Sequence, residues 1–268
     1  MCRALGVSRS GFYAWRKRAA SRRETADREL ALEIRDLHDA SRGTYGAPRV
    51  HRALRRRGRQ VGRKRVERLM RVQGLRGRIR RRYRRTTDSC HGLPVAPNSL
   101  NRQFQADSPD RVWAGDITYI RTATGWCYLA VILDLHSRLV VGWAVADHMR
   151  TELILEALRR ALGWRKPAEG ALHHSDRGSQ YASEAYRGLL AQHGIQVSMS
   201  RAGDCYDNAA VESFFGSLKQ ELVHEASWHD LAETRSALHD YIEVFYNRHR
   251  LHSALGYRTP IEVDIEAA

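Results

Sequence analysis

Three carboxylates stand out for the company they keep. Asp116 lies in Trp113-Ala114-Gly115-Asp116-Ile117-Thr118-Tyr119-Ile120, inside a β-branched and aromatic run. A carboxylate there is costly to bury unless it is paired or binds a cation. Asp176 follows a short predicted strand, within the polar stretch His174-Ser175-Asp176-Arg177-Gly178-Ser179-Gln180-Tyr181, so it falls at a strand end, where α/β folds tend to place functional side chains. Glu212 sits in a segment whose Val211, Phe214, Phe215, Leu218 and Leu222 make a helical packing stripe. Asn208, Glu212 and Lys219 then share another face, at offsets of four and seven residues from Asn208 to Glu212 and from Glu212 to Lys219. Two strand acids and one helix acid suit hard divalent cations, Mg²⁺ above all, with Mn²⁺ as a substitute. Two such ions roughly 4 Å apart activate a hydroxyl and stabilise a leaving oxygen in phosphoryl transfer. Singly, each acid has an ordinary structural explanation; only the combination points to a metal site. Asp134, at a strand end before His136-Ser137-Arg138, reads as a strand-ending acid, and His174 as a neighbour that shapes the surroundings of Asp176.

The elements that must position these groups follow from periodicity. Residues 112–121, 126–133 and 139–146 are β-rich runs separated by turn residues. Helices are expected over 151–163 and 183–193, with short strands over 171–175 and 195–199. Two longer helices follow, near 207–225 and 229–247. Three consecutive strands and then alternating helices and strands predict an α/β fold, a mixed sheet flanked by helices.

The first third of the chain reads differently. Residues 1–20 suggest a short helix, a turn and a second helix capped by Ser8, with Leu5, Val7, Phe12 and Trp15 as apolar anchors. Residues 24–40 form an amphipathic helix with Leu30, Ile34 and Leu37 on one side. A second helical pair has Val50, Leu54, Val66, Leu69 and Met70 at helix spacing, and Arg63, Lys64 and Arg65 open a candidate recognition helix.

Charge divides the same way. The chain carries a net charge of +15, yet residues 42–87 hold nineteen Lys and Arg against one acid, Glu67, while residues 88–268 carry more acids than bases. A basic block on a mildly acidic body points to a polyanion-binding module beside a separate domain. The run from Arg76 to Arg85, including Arg80, Arg81 and Arg82, is too charged to pack and is expected to follow phosphates. Residues 88–108 read as a linker. No stretch approaches the roughly 18 apolar residues of a membrane span, and the N-terminus has no signal-peptide pattern. The four cysteines are scattered, which disfavours structural zinc or a disulfide framework and fits a reducing cytoplasm. His249 and His252 have metal-like spacing but no accompanying ligands.

On these residues the chain resembles the transposases of bacterial insertion sequences of the third insertion-sequence family, as their second-reading-frame product with a retroviral-integrase-like core. The matching blocks are residues 112–120, 128–134, 174–181, 207–219 and 246–257, with Gly43-Thr44-Tyr45-Gly46 and residues 5–13 upstream. The resemblance implies an RNase H-like mixed sheet flanked by helices, preceded by helical, helix-turn-helix-like DNA-binding regions. It implies a D,D,E metal triad at Asp116, Asp176 and Glu212; the family spaces its last two acids by 35 residues, as this chain does. It also makes Lys219 a contact to the element's terminal DNA. The expected organisation is a helix-turn-helix-like region (1–41), a basic helical DNA-binding region (42–87), a linker (88–108), an integrase core (109–225) and a C-terminal helical extension (226–268). The expected activity is nicking at the element ends, with water as nucleophile, followed by strand transfer from the exposed 3′-hydroxyls. The expected partners are double-stranded DNA (terminal inverted repeats and target), further copies of the chain on paired ends, and an upstream-frame product, fused through ribosomal frameshifting or acting beside it. The leucine zipper and end-recognition region of such systems are expected from that upstream frame. The expected location is the bacterial cytoplasm, on the nucleoid, with no membrane association. Two rival readings are a non-enzymatic DNA-binding regulator, which gives the three acids no role, and a nuclease of the same fold that hydrolyses without joining.

Overall fold

The computed structural model describes residues 2–78, 95–201 and 205–267, and the chain divides into two compact units, Met1–Gly77 and Arg78–Ala268.

The first unit is helical: α1 (Arg9–Lys17), α2 (Arg22–Ala40), α3 (Ala47–Arg56) and α4 (Arg63–Val72). Ser8 and Ser21 cap α1 and α2 by accepting from the amides of Gly11 and Glu24. Pro48 sits in the first turn of α3, where its missing N–H costs nothing. The last three helices pack through Leu30, Ile34 and Leu37, Val50, Ala53 and Leu54, and Val66, Leu69 and Met70, all buried at the expected helical spacing. Asp27 on α2 accepts from Arg65 (2.6 Å) and Arg68 on α4, and the two guanidiniums, Arg68 foremost, hold its carboxyl below the usual range. The N-terminal expectation needs correction. Residues 2–6 form turns rather than a helix, and α1 buries none of its residues. Leu5, Val7 and Trp15 are exposed, so these apolar side chains do not anchor a hairpin within the described residues.

The second unit is built on a five-stranded sheet of order β3-β2-β1-β4-β5, from β1 (Val112–Thr122), β2 (Gly125–Asp134), β3 (Val140–Ala146), β4 (Leu172–Ser175) and β5 (Gln196–Met199). The first three strands are antiparallel, while β1–β4 and β4–β5 are parallel. Helices α5 (Thr151–Trp164) and α6 (Glu184–Gln192) cover one face, packing Leu153, Ile154, Leu158, Tyr186 and Leu190 against Trp113, Ala130 and Ile132. Gly142 on β3 permits the close approach of α5, since a Cβ there would collide with the Ala157 carbonyl. The other face is covered by α7 (Ala209–Leu218) and α8 (Leu231–His239), whose Val211, Phe214, Leu218 and Leu238 pack on Ile120, Leu129 and Leu133. Both helices end in wider, π-helical turns, Lys219–Val223 and Asp240–Tyr246, where the sequence suggested continuous α-helix. A buried ion pair sits between these turns and the chain beyond them. Arg250 donates two hydrogen bonds to Glu221 (2.7 and 2.8 Å), and the Tyr241 hydroxyl donates a third (2.9 Å). A last helix, α9 (Pro260–Glu266), opens with a capping box of Thr259 and Glu262. It is tied back by Arg165, which donates to Asp264 and Asp110. No helix among the described residues is long and apolar enough to cross a membrane, and Cys2 and Cys127 are free thiols.

Candidate active site

The sheet register brings the two strand acids together. β1 and β4 pair in parallel from Val112↔Leu172 to Gly115↔Ser175. The next positions in that register are Asp116 and Asp176, so the two carboxylates stand side by side where the ladder ends. Neighbouring strands lie about 4.8 Å apart. Alternation puts Asp116 on the sheet face that carries Ala114, Ile120 and the helix α7. Asp116 accepts from the Ile117 amide (2.8 Å) and Asp176 from the Gly178 amide (2.9 Å), which fixes one oxygen of each.

The third acid is carried on α7. Asn208, which precedes the first residue of that helix, donates from Nδ2 to the Gly115 carbonyl (3.2 Å), beside Asp116. Glu212 follows one turn later, exposed on the helix. The carboxyl of Asp116 is raised well above its usual value, first by burial, then by the charge of Asp176 and, more weakly, of Glu212. Clustered negative charge that a protein cannot relieve by itself is what a bound cation relieves. Among the described residues no three His, Cys, Asp or Glu side chains close into a coordination cage. The group is open, with a pair of strand acids and a helix acid, Glu212, that stands exposed and whose charge still bears on Asp116. The donor set is all hard oxygen, and the buried Asn208 Oδ1 next to it has no hydrogen-bond partner, which fits an added donor at this place.

The groups around the acids are held firmly. His174 uses both ring nitrogens on the hydroxyls of Ser198 (2.9 Å) and Ser200 (3.1 Å), so it pins β4 to β5 beneath Asp176. Burial pushes its pKa down to about 4. His173 bonds the Tyr186 hydroxyl (3.0 Å) and lies against Gly115, its pKa lowered to about 3 by burial. Tyr181 went without a role in the sequence reading although it closes the Asp176 motif. Its phenol is buried, and the charges of Asp116 and Asp176 add to the rise in its pKa. Asp207 is buried and accepts from Asn98, from Arg102 and from the Arg201 backbone, closing the start of α7 onto the end of β5. Asp134 is a turn former, with its carboxylate accepting from His136, Ser137 and Asp110.

The cationic candidates separate. Lys219 is buried at the start of the π-helical turn, with its ammonium 4.8 Å from the centre of the Tyr119 ring and its pKa lowered by burial to about 8. Arg63 and Lys64 are exposed at the start of α4, whereas Arg65 is engaged by Asp27. Arg80, Arg81 and Arg82 lie outside the described residues.

Comparison with known proteins agrees with this architecture. Integrase core domain families match residues 106–205 and 193–260, and the HTH-like domain family matches residues 24–83. The chain is 45% identical over 260 residues to the insertion element IS600 uncharacterized 31 kDa protein of Shigella sonnei, covering 97% of this chain and 96% of that protein. It is 42% identical over 262 residues to the transposase InsF for insertion sequence IS3A of Escherichia coli K12, covering 97% of this chain and 91% of that one. A chain of the simian T-cell lymphotropic virus intasome shares the fold at 14% identity, with a TM-score of 0.50 over 86% of this chain and 74% of that chain. The chain belongs to the IS3-family InsF transposases of insertion sequences, whose catalytic part is an integrase core.

Proposed function

We propose that Asp116, Asp176 and Glu212 hold a divalent metal, Mg²⁺ with Mn²⁺ able to replace it, and that this site cuts the ends of an insertion sequence and joins the 3′-hydroxyls to target DNA. One observation carries the reading: the β1–β4 register sets Asp116 beside Asp176, and the charge of Glu212 bears on the same carboxyl. Bound metal supplies Lewis-acid stabilisation of the charge that builds on the phosphate oxygens. The chain's own contribution is positional. Gly115 and Asn208 fix the start of α7 against β1, and His174 with Ser198 and Ser200 fixes the β4 end. The same pocket serves both steps, with water as nucleophile in nicking and a DNA 3′-hydroxyl in joining, so no covalent protein intermediate is needed.

The helical unit supplies affinity, with Arg63 and Lys64 on phosphates and Arg80, Arg81 and Arg82 extending that contact. Two DNA ends must be held together, so the working form is a multimer of this chain, fused to or partnered with the upstream-frame product, on the bacterial nucleoid. The test is incubation with linear DNA bearing the flanking inverted repeats, with and without Mg²⁺. The expected products are nicked ends and joined strands, only with metal. Nicking without any joined product would leave a nuclease in place of a transposase.

A further inference from the structure

The hairpin that joins β1 to β2 carries a feature the triad does not use. The register pairs Arg121 with Trp126 and Tyr119 with Tyr128, so Tyr119, Arg121 and Trp126 share one face. The opposite face of the same hairpin is core, with Ile120 and Cys127 buried. On the outer face Tyr119 is 39% and Trp126 47% exposed. The two rings meet edge to face, their centres 5.3 Å apart at 82°. Each has a cation on it: Arg121 lies 5.8 Å from the Trp126 centre, and Lys219 lies over Tyr119.

We infer that Tyr119 and Trp126, with Arg121 and Lys219, form a stacking platform for an unpaired base of the DNA strand being cut. The partner's chemistry follows from the patch. Exposed aromatic faces offer stacking to any base that presents its own face, and a paired base inside a duplex does not. Two cations at the rings suit a strand whose bases alternate with phosphates, and they sit on the part of the chain with an acidic excess, so they serve a local contact rather than a general basic surface. Lys219 links the place to the acids: it follows α7, the helix on the Asp116 face, and its ammonium lies over the Tyr119 ring. Tyr119 lies three residues beyond Asp116, about 10 Å along the strand, and its side chain stands on the opposite face of β1, so a strand running from the acids to the rings must cross the edge of β1. Beyond Gly115, β1 has no β4 partner, and among the described residues no other strand covers this edge. A base unpaired a few nucleotides from the scissile phosphate would be held there, keeping the end open while the phosphate meets the carboxylates. The inference rests on the transposase reading above.

The test compares the full chain's affinity for a blunt DNA duplex, for that duplex with a short unpaired thymidine tail, and for the duplex with the same tail in RNA. The wild-type chain is expected to prefer the DNA tail over the blunt end, and Trp126→Ala to lose that preference by on the order of tenfold. Trp126→Tyr, which keeps a ring, is expected to restore most of it. Circular dichroism and thermal unfolding of each variant separate loss of stacking from loss of fold. A tail preference that survives in both Trp126→Ala and Tyr119→Ala overturns the platform, and so does an equal or larger preference for the RNA tail. Mn²⁺-dependent nicking of a plasmid, followed in parallel, keeps the two readings apart. Nicking without tail preference removes the platform alone, whereas absence of metal-dependent nicking from wild type removes the transposase reading with it.

Discussion

The helical unit and the integrase-core unit solve opposite problems with opposite distributions of charge. In the first, cations are many, mostly exposed and individually replaceable, and acids such as Asp27 and Glu33 serve to hold α2 to its arginine-bearing neighbours. In the second, the charges that matter are few, sheltered and fixed by hydrogen bonds: Asp116, Asp176, Asp207 and the Glu221–Arg250 pair. Affinity for a polyanion is a sum over phosphates and degrades gradually. Phosphoryl transfer depends on a few oxygens at set positions and fails abruptly when one is removed.

The widest separation between the units is therefore expected from the acids. Asp116→Asn, Asp176→Asn and Glu212→Gln should each lower strand cleavage by roughly a thousandfold or more, with duplex binding nearly unchanged. Near-normal cleavage by any one of them removes that residue from the metal site. The open position of Glu212 makes it the most informative of the three.

A second group in the same unit bears on stability through burial. Arg250 and Glu221 have side chains 5% and 6% exposed. Arg250→Met leaves a buried carboxylate without its guanidinium and should cost about 3–5 kcal/mol, read as a lower urea midpoint at an unchanged slope. Adding Glu221→Gln should recover part of the loss. If Arg250→Met unfolds at the wild-type midpoint, the pair contributes nothing to holding the π-helical turns in place.

Acid should expose the same contrast. His173 is neutral in the fold, with its pKa lowered from 6.5 to about 3. The unfolded chain therefore takes up the proton first, so this contribution is complete above about pH 6.5 and is lost as pH falls toward the folded value, at most about 3 kcal/mol by about pH 4. The raised carboxyl of Asp116 works in the opposite direction, which moderates the slope. Thermal unfolding across that window should show the integrase unit weakening, and His173→Gln should flatten the dependence. A wild-type midpoint constant down to pH 4 would contradict the burial of a neutral imidazole.

Much of this was legible beforehand, for physical reasons that differ by element. Leu30, Ile34 and Leu37 repeat at helical spacing because a surface helix must bury one stripe, and the strands around Asp116 announced themselves by β-branched runs. The pairing of Asp116 with Asp176 was legible only as two strand-end acids, because register is a property of two strands and no local pattern states it. The π-helical turns after Leu218 and His239 left no trace in apolar spacing. Helix α9 did leave one, in Thr259-Pro260-Ile261-Glu262, a capping box with proline at the first helical position that went unread. Leu5, Val7 and Trp15 misled because apolar side chains at helical spacing specify a face without specifying what covers it.

The smallest expected effect tests the helical unit. Arg63 and Lys64 stand exposed at the start of α4. If each neutralises one phosphate, replacing either by Ala should reduce the slope of log affinity against log salt by about 0.9, with no change in cleavage of DNA already bound. Arg65→Ala is the instructive neighbour. Its guanidinium is already given to Asp27, 2.6 Å away, so its removal should slightly loosen α4 from α2 and leave the salt slope closer to wild type than either of the other two. A slope that falls as far for Arg65→Ala as for Arg63→Ala would mean that DNA draws this arginine off Asp27. The helical unit would then hold part of its DNA-binding charge in reserve within its own ion pairs.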